Sequence, residues 1–328
     1  MKKNIFICTA LATMALSACS NNDNDPVVDT LKDTPIVINA GVNDLTTRAG
    51  YADDNLPTVI GLYITNPSNP AYTYKNYKMT YANNQWTTTD GTMMWQNATQ
   101  TVSVVAYTPY NGTKNDELTD KAELSVSVQA NQSTTDGLAV ATSDFLYYKK
   151  DAVTPSTDGI SLPMEHIFSK LLISFTHGSE LNGKTVVIKN VTVSGMQTTH
   201  KFNLSTGALV TGGLSGDAVD IVMYLQDGTA PIVKTAEAIL VPQTVAITVT
   251  IAATVDTEEK TFSYTADLQE FATKTQYTLA LAVGRDGVQT GTFDINPWGK
   301  PVEVEIWKQQ KISNHRNIIN YKYEKEFI

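Results

Sequence analysis

The chain has 328 residues, a formal net charge of −9 and only 17% charged residues. An acidic balance argues against nucleic-acid binding, which calls for a basic face. Few charges, with abundant Thr, Val, Ala and Tyr, are a β-sheet composition in a chain long enough for one large or two ordinary domains.

The first residues read as an export signal. Lys2 and Lys3 precede an apolar run from Ile5 to Ala15, and Leu16-Ser17-Ala18-Cys19 closes it with small residues. A positive start, a short apolar segment and small residues before a cut define a secretory signal over 1–18. The run is shorter than the roughly 20 apolar residues a membrane-spanning helix needs. Cysteine at the first mature position resembles a bacterial lipoprotein signal, which implies acylation of Cys19 and tethering to the outer membrane. The plainer alternative is a secretory signal in which Cys19 is coincidental. The only other cysteine is Cys8. It leaves with the signal, so a lipidated mature chain has no disulfide.

Residues 20–34 are polar and acidic and read as a spacer. From 36 to 42, Ile36, Ile38, Ala40 and Val42 alternate with Val37, Asn39 and Gly41, the pattern of a half-buried strand. A loop-like stretch, Asn43–Gly50, follows. Strand signals then recur at 58–65, 72–81, 102–107, 123–130, 138–148 and 171–176. They continue at 185–194, 199–204, 221–225, 236–241, 245–255, 260–266 and 277–283. Gly, Asn and Asp mark the turns between them. Many short strands with such turns predict β-sandwiches. Helix is limited to a turn or two at 115–122 and at 164–169, the latter just after Pro163. The polar stretch 149–159 is the expected boundary between two strand-rich halves, 49–159 and 160–298.

Catalytic signatures are missing. The sequence has no His-Glu-x-x-His, no Gly-x-Ser-x-Gly, no glycine-rich phosphate loop and no cysteine pair for zinc. His166, His177, His200 and His315 are scattered, and surface or turn positions are their expected places. No cofactor, no metal and no enzymatic activity is expected. Paired glycosidase carboxylates are spatial and leave no spacing to read. Tyr72, Tyr74, Tyr77 and Tyr81 lie at strand spacing, where cross-strand pairing competes with sugar stacking.

Several phrases occur in order. Pro35-Ile36-Val37-Ile38 and Thr47-Arg48-Ala49-Gly50 follow the signal, then Trp86, Trp95 and Val104–Tyr110. Met164–Leu171, Val241-Pro242-Gln243 and Ile295-Asn296-Pro297-Trp298 complete the set. Together they resemble the fimbrillin family, the lipoprotein-derived pilins of type V pili, over about residues 1–298. The resemblance implies an all-β fold of two transthyretin-like β-sandwich domains in tandem, surface export, and assembly with other pilus subunits into adhesive fimbriae. It also implies an Arg-specific protease that cuts after Arg48, leaving Ala49 as the new N-terminus. Ile36, Ile38, Ala40 and Val42 then match the removable strand within 19–48, which a strand of another subunit replaces. Val302, Val304 and Ile306 alternate within 301–307 and form a candidate donor strand; the last strand of a sandwich is the equal alternative. The extension 299–328 ends in a locally basic tail, read as a flexible extension, a partner contact or a pairing strand near 317–323. If Arg48 is not cut, the chain is an anchor or a monomeric surface lipoprotein that binds glycan or a host ligand.

Overall fold

The computed structural model describes residues 29–42, 57–134, 136–285, 287–298, 307–313 and 319–325. Strands dominate them. The first eight are β1 (Ile38–Val42), β2 (Val59–Thr65), β3 (Tyr74–Ala82), β4 (Gln85–Thr87), β5 (Val102–Thr108), β6 (Leu124–Ser127), β7 (Leu146–Val153) and β8 (Ile160–His166). A short helix, α1 (Leu138–Ser143), precedes β7. Then come β9 (Ser169–His177), β10 (Val186–Met196), β11 (Thr199–Asn203), β12 (Ala208–Leu209), β13 (Val219–Val222), β14 (Tyr224–Asp227) and β15 (Lys234–Leu240). The last are β16 (Gln243–Val255), β17 (Glu258–Phe271), β18 (Thr275–Val283), β19 (Val288–Pro297), β20 (Trp307–Ser313) and β21 (Ile319–Lys325). Among the described residues no helix is long and apolar enough to cross a membrane.

Seven strands form one sheet in the order β1-β8-β7-β5-β2-β3-β4. Alternation gives this sheet two apolar faces. Ile60, Leu62, Ile64, Val104, Ala106 and Leu146 point into one core, which Ile36, Ile38, Trp95, Ile160, Leu162 and Met164 complete. Tyr63, Val105, Tyr107 and Tyr147 point the other way, into a second core. A three-stranded sheet, β12-β11-β6, contributes Leu124, Val126 and Phe202 to that second core. Phe202 meets Phe145 and Tyr147 edge-on, at ring separations of 4.9 and 5.1 Å, a favoured aromatic geometry.

The remainder is a sandwich. The five-stranded sheet β14-β15-β9-β18-β19 and the four-stranded sheet β13-β10-β16-β17 share the second core. In β16, Ile247, Val249, Ile251, Ala253 and Val255 are buried at every second position. In β18, Tyr277, Leu279, Leu281 and Val283 do the same. The all-β sandwich architecture expected from composition and turn spacing is what the chain adopts.

Several local expectations are corrected. Leu138–Ser143 is helical, not part of a strand. Asp136 Oδ1 accepts from the Leu138 N–H, and Thr134 Oγ1 from the Ala139 N–H, satisfying amides that a helix start leaves free. Residues 164–169 are not helical, because Met164–His166 end β8 and Ser169 starts β9. A helical turn of 3₁₀ type does form within the other predicted stretch, at Leu118–Lys121. The stretch 149–159 is the end of β7 and the turn into β8. Strands from either side of residue 159 share sheets: β8 pairs with β1 and β7, and β6 pairs with β11.

Tyr74 and Tyr77 are both buried and pack edge-on at 5.4 Å. They share a face because β3 bulges against β2 at Asn76, whose φ is +45°. The bulge residue is fully buried. Its amide donates to Asn111 O and Thr113 O, and its Oδ1 accepts from Tyr107. In the tail, β20 and β21 pair as an antiparallel hairpin.

Candidate functional site: the cradle of the N-terminal strand

Residues 29–42 are held in two ways. Over Ile38–Val42 the chain runs parallel to β8, with Ile38 beside Ile160 and Val42 beside Met164. The Ile160 N–H donates to Val37 O at 2.8 Å. Along a strand, successive carbonyls point to opposite edges, so Ala40 O faces away from β8, where the Trp86 indole N–H reaches it at 3.4 Å. Upstream, the segment pairs with the stretch before β5. Ile36 N–H donates to Met93 O, Asp33 N–H to Trp95 O, and Trp95 N–H to Thr34 O. The Asp29 carboxylate accepts from the Ala98 N–H at 2.9 and 3.1 Å, and Asp33 accepts from the Tyr72 hydroxyl. That hydrogen bond to Asp33 raises the Tyr72 pKa.

Burial follows the backbone pattern. Leu31, Ile36 and Ile38 are buried and share a core with Trp95. Ala40 and Val42 are half-buried against the same core, whereas Val37 on the opposite face is 51% exposed. Each fully buried side chain of this kind stabilises docking by about 1.5–3 kcal/mol, before the ordering cost of about 1–2 kcal/mol per residue. Among the described residues β1 has one strand neighbour, and its outer edge is paired only at Ala40. A groove of about 610 Å³ runs along that edge, between β1 and the β3–β4 hairpin, with Tyr81, Asn84, Gln85 and Trp86 on its far side.

Two residues shape the inner wall. Gly159 has φ +82°, and a Cβ there would stand 2.3 Å from Val37 O. Only glycine lets the turn into β8 come this close to β1. Pro163 sits inside β8, and its missing N–H would face away from β1. There β8 is unpaired, since its pairing with β7 is confined to Glu165 and His166. The alternation of Ile160, Leu162 and Met164 was the available sequence signal for this strand, and Pro163 masked it.

A second cluster gathers the ordered phrases of the sequence. His166 Nδ1 lies 2.7 Å from Asp144 Oδ2, with both side chains almost fully buried. The His166 ring stacks on Trp298 at 3.8 Å with 12° between planes. Lys170 Nζ pairs with Glu237 at 2.9 Å, also buried, and lies 5.9 Å from the Trp298 ring centroid. Gln243 bridges to Gln197 N–H and O. His166 is therefore a core residue, contrary to the surface or turn position expected of it, because Asp144 and Trp298 supply polar and aromatic partners inside. Among the described residues no group of three or more His, Cys, Asp or Glu side chains is placed to hold a metal ion.

Of the residues singled out from the sequence, Ile36, Ile38, Ala40 and Val42 fall in the cradle. Cys19, Arg48, Ala49, Val302, Val304 and Ile306 lie outside the described residues. Sequence reasoning missed Asp29, Leu31 and Gly159. Their signals are single residues without periodicity.

A family model described as fimbrillin-like matches residues 47–298. Among solved structures, a candidate cell adhesion protein from Bacteroides ovatus ATCC 8483 is similar, with a TM-score of 0.60 at 18% identity. The alignment covers 81% of this chain and 98% of that one. A candidate cell adhesion protein from Bacteroides uniformis ATCC 8492 is also similar, with a TM-score of 0.55 at 21% identity, over 80% of this chain and 98% of the other. A search of curated proteins gave no match.

Proposed function

The chain belongs to the fimbrillin-like family, and from that premise we propose that it is a structural and adhesive subunit of a cell-surface fimbrium, made as a lipoprotein and assembled by strand exchange. Cys19 takes the lipid and holds the precursor at the outer membrane. An Arg-specific protease cuts between Arg48 and Ala49, which frees the segment carrying β1. Another pilus subunit then inserts a strand where β1 lay, and the finished fibre meets a ligand on a host or bacterial surface.

The observation that carries this reading is the way residues 29–42 sit. They are a terminal edge strand, with Leu31, Ile36 and Ile38 in the core and an open groove alongside. Removing them bares the edge of β8 and an apolar trough, and both favour a replacement strand. Val302, Val304 and Ile306 repeat the spacing of Ile38, Ala40 and Val42, so a second copy offers apolar side chains at matching intervals.

N-terminal mass spectrometry of protein taken from the native cell surface tests this. A chain starting at Ala49 is the expected result. A lipidated Cys19 terminus with residues 20–48 attached overturns the stalk assignment. Deleting residues 301–328 is expected to stop polymerisation; unchanged polymers would remove the C-terminal segment from the donor role.

A further inference from the structure

The two ends of the folded body meet at one strand. β8 holds β1 through the ladder from Ile38–Ile160 to Val42–Met164. Two residues after that ladder ends, His166 stacks on Trp298, which follows β19 in the chain. Three further ties hold Trp298 beside the end of β8, the turn that follows it and the start of β9. The Trp298 N–H donates to Lys274 O at 2.7 Å, and the Lys274 N–H in turn approaches Ile167 O and Phe168 O at 3.3 and 3.1 Å. Lys274 Nζ donates to Glu165 Oε2 at 2.7 Å. Lys170, held by Glu237, places its ammonium over the indole. Trp298 is 4% exposed, so the side chain that follows β19 is itself part of the core.

We propose that Trp298, with His166, Lys170 and Lys274, is a mechanical clasp that couples the C-terminal segment to β8. Tension between the two ends of the subunit then reaches β8 through His166 and Glu165 before β19 can peel. Direction matters here. β1 and β8 are parallel, so a pull on the upstream end of β1 and an opposite pull on the far end of β8 load the ladder in shear. All its hydrogen bonds then resist together. Without the clasp the same pull first reaches β19, which among the described residues is an edge strand paired only with β18, and peels it one hydrogen bond at a time. Trp298, His166, Lys170 and Lys274 are positioning residues in this device. Their use in a fibre rests on the strand-exchange reading above, whereas the coupling within one chain does not.

Single-molecule pulling on the full chain tests the clasp without assembly. Cys8 and Cys19 are replaced by serine, and handles are attached at Lys32→Cys and at a cysteine added after Ile328. Once the β20–β21 hairpin has opened, the unmodified clasp is expected to give a high-force event as the β1–β8 ladder shears. Trp298→Ala is expected to lose that event and show low-force release from the C-terminal side. Trp298→Phe keeps a ring over His166 and is expected to retain the event, since the Trp298 indole N–H makes no hydrogen bond among the described residues. A control geometry, Lys78→Cys with Lys150→Cys, loads the seven-stranded sheet without involving Trp298. The proposal is overturned if Trp298→Ala leaves the high-force event intact, or if it weakens both geometries equally, which would be a general loss of stability. A native terminus at Cys19 would sink strand exchange and leave this result standing.

Discussion

Replacing Ile38 by alanine tests whether the N-terminal strand docks as an independently opening unit. Ile38 is 3% exposed and sits in the core lined by Trp95, Ile160 and Leu162. Truncating a buried isoleucine to alanine costs about 2–5 kcal/mol, the lost transfer energy plus that of the cavity left behind. β1 has one strand neighbour and an open groove on its other edge, so the cost falls on local opening rather than on global unfolding. Every 1.4 kcal/mol is tenfold, which predicts amide exchange in 36–42 faster by about 30-fold to about 4,000-fold. Hydrogen exchange by mass spectrometry reads this directly, with a peptide from β16 reporting on the sandwich. Val37, one residue away and 51% exposed, is the control, and Val37→Ala is expected to change stability by no more than about 0.5 kcal/mol. Equal acceleration by the two substitutions would refute the facing of the strand. Equal acceleration in β16 would refute its independence.

Gly159→Ala is expected to loosen the same strand from outside it. A left-handed φ costs a non-glycine residue about 1–2 kcal/mol, and the new Cβ would displace Val37 O, detected as faster exchange at Ile160. Lys170→Met leaves Glu237 buried without its cation, at a cost of about 3–5 kcal/mol. The double variant Lys170→Met with Glu237→Leu is expected to recover most of it, read from denaturant midpoints. The backbone hydrogen bond from Thr113, then the one from Lys121, lowers the Asp116 pKa to about 2 from 3.8. A carboxylate with a lowered folded-state pKa contributes stability that is complete above the unfolded value. That contribution is lost as pH falls from about 4 to about 2, so Asp116→Asn is expected to flatten the acid limb of a stability–pH profile. Burial raises the pKa of Tyr63, Tyr107 and Tyr147 far above the ordinary value. Unfolding releases their protons above about pH 10, and stability is therefore expected to fall with rising pH there, as equilibrium unfolding in alkaline buffer would show.

How much of this was legible beforehand depends on the range over which each feature is written. The strands β16 and β18 were legible in the sequence, as signals at 245–255 and 277–283, because a half-buried strand is written in its own successive side chains. The alternation of Ile36, Ile38, Ala40 and Val42 marked β1 and its inward face. Where successive residues are all apolar, the pattern is mute. Leu138-Ala139-Val140-Ala141 reads as a strand, and only the hydrogen bonds its amides donate to Asp136 and Thr134 and the packing around α1 make it a helix. β19 was missed for the opposite reason, since most of its side chains are exposed and pairing with β18 alone defines it.

The sequence by itself determined the β class, most of the regular strands and the inward face of β1. These are local properties, set by neighbouring side chains and by composition. Only the tertiary structure decided that β1 lies parallel to β8, more than a hundred residues away, and that His166 stacks on Trp298. Both are long-range pairings, and no residue in either partner specifies the other until the sheets have twisted and closed around a shared core.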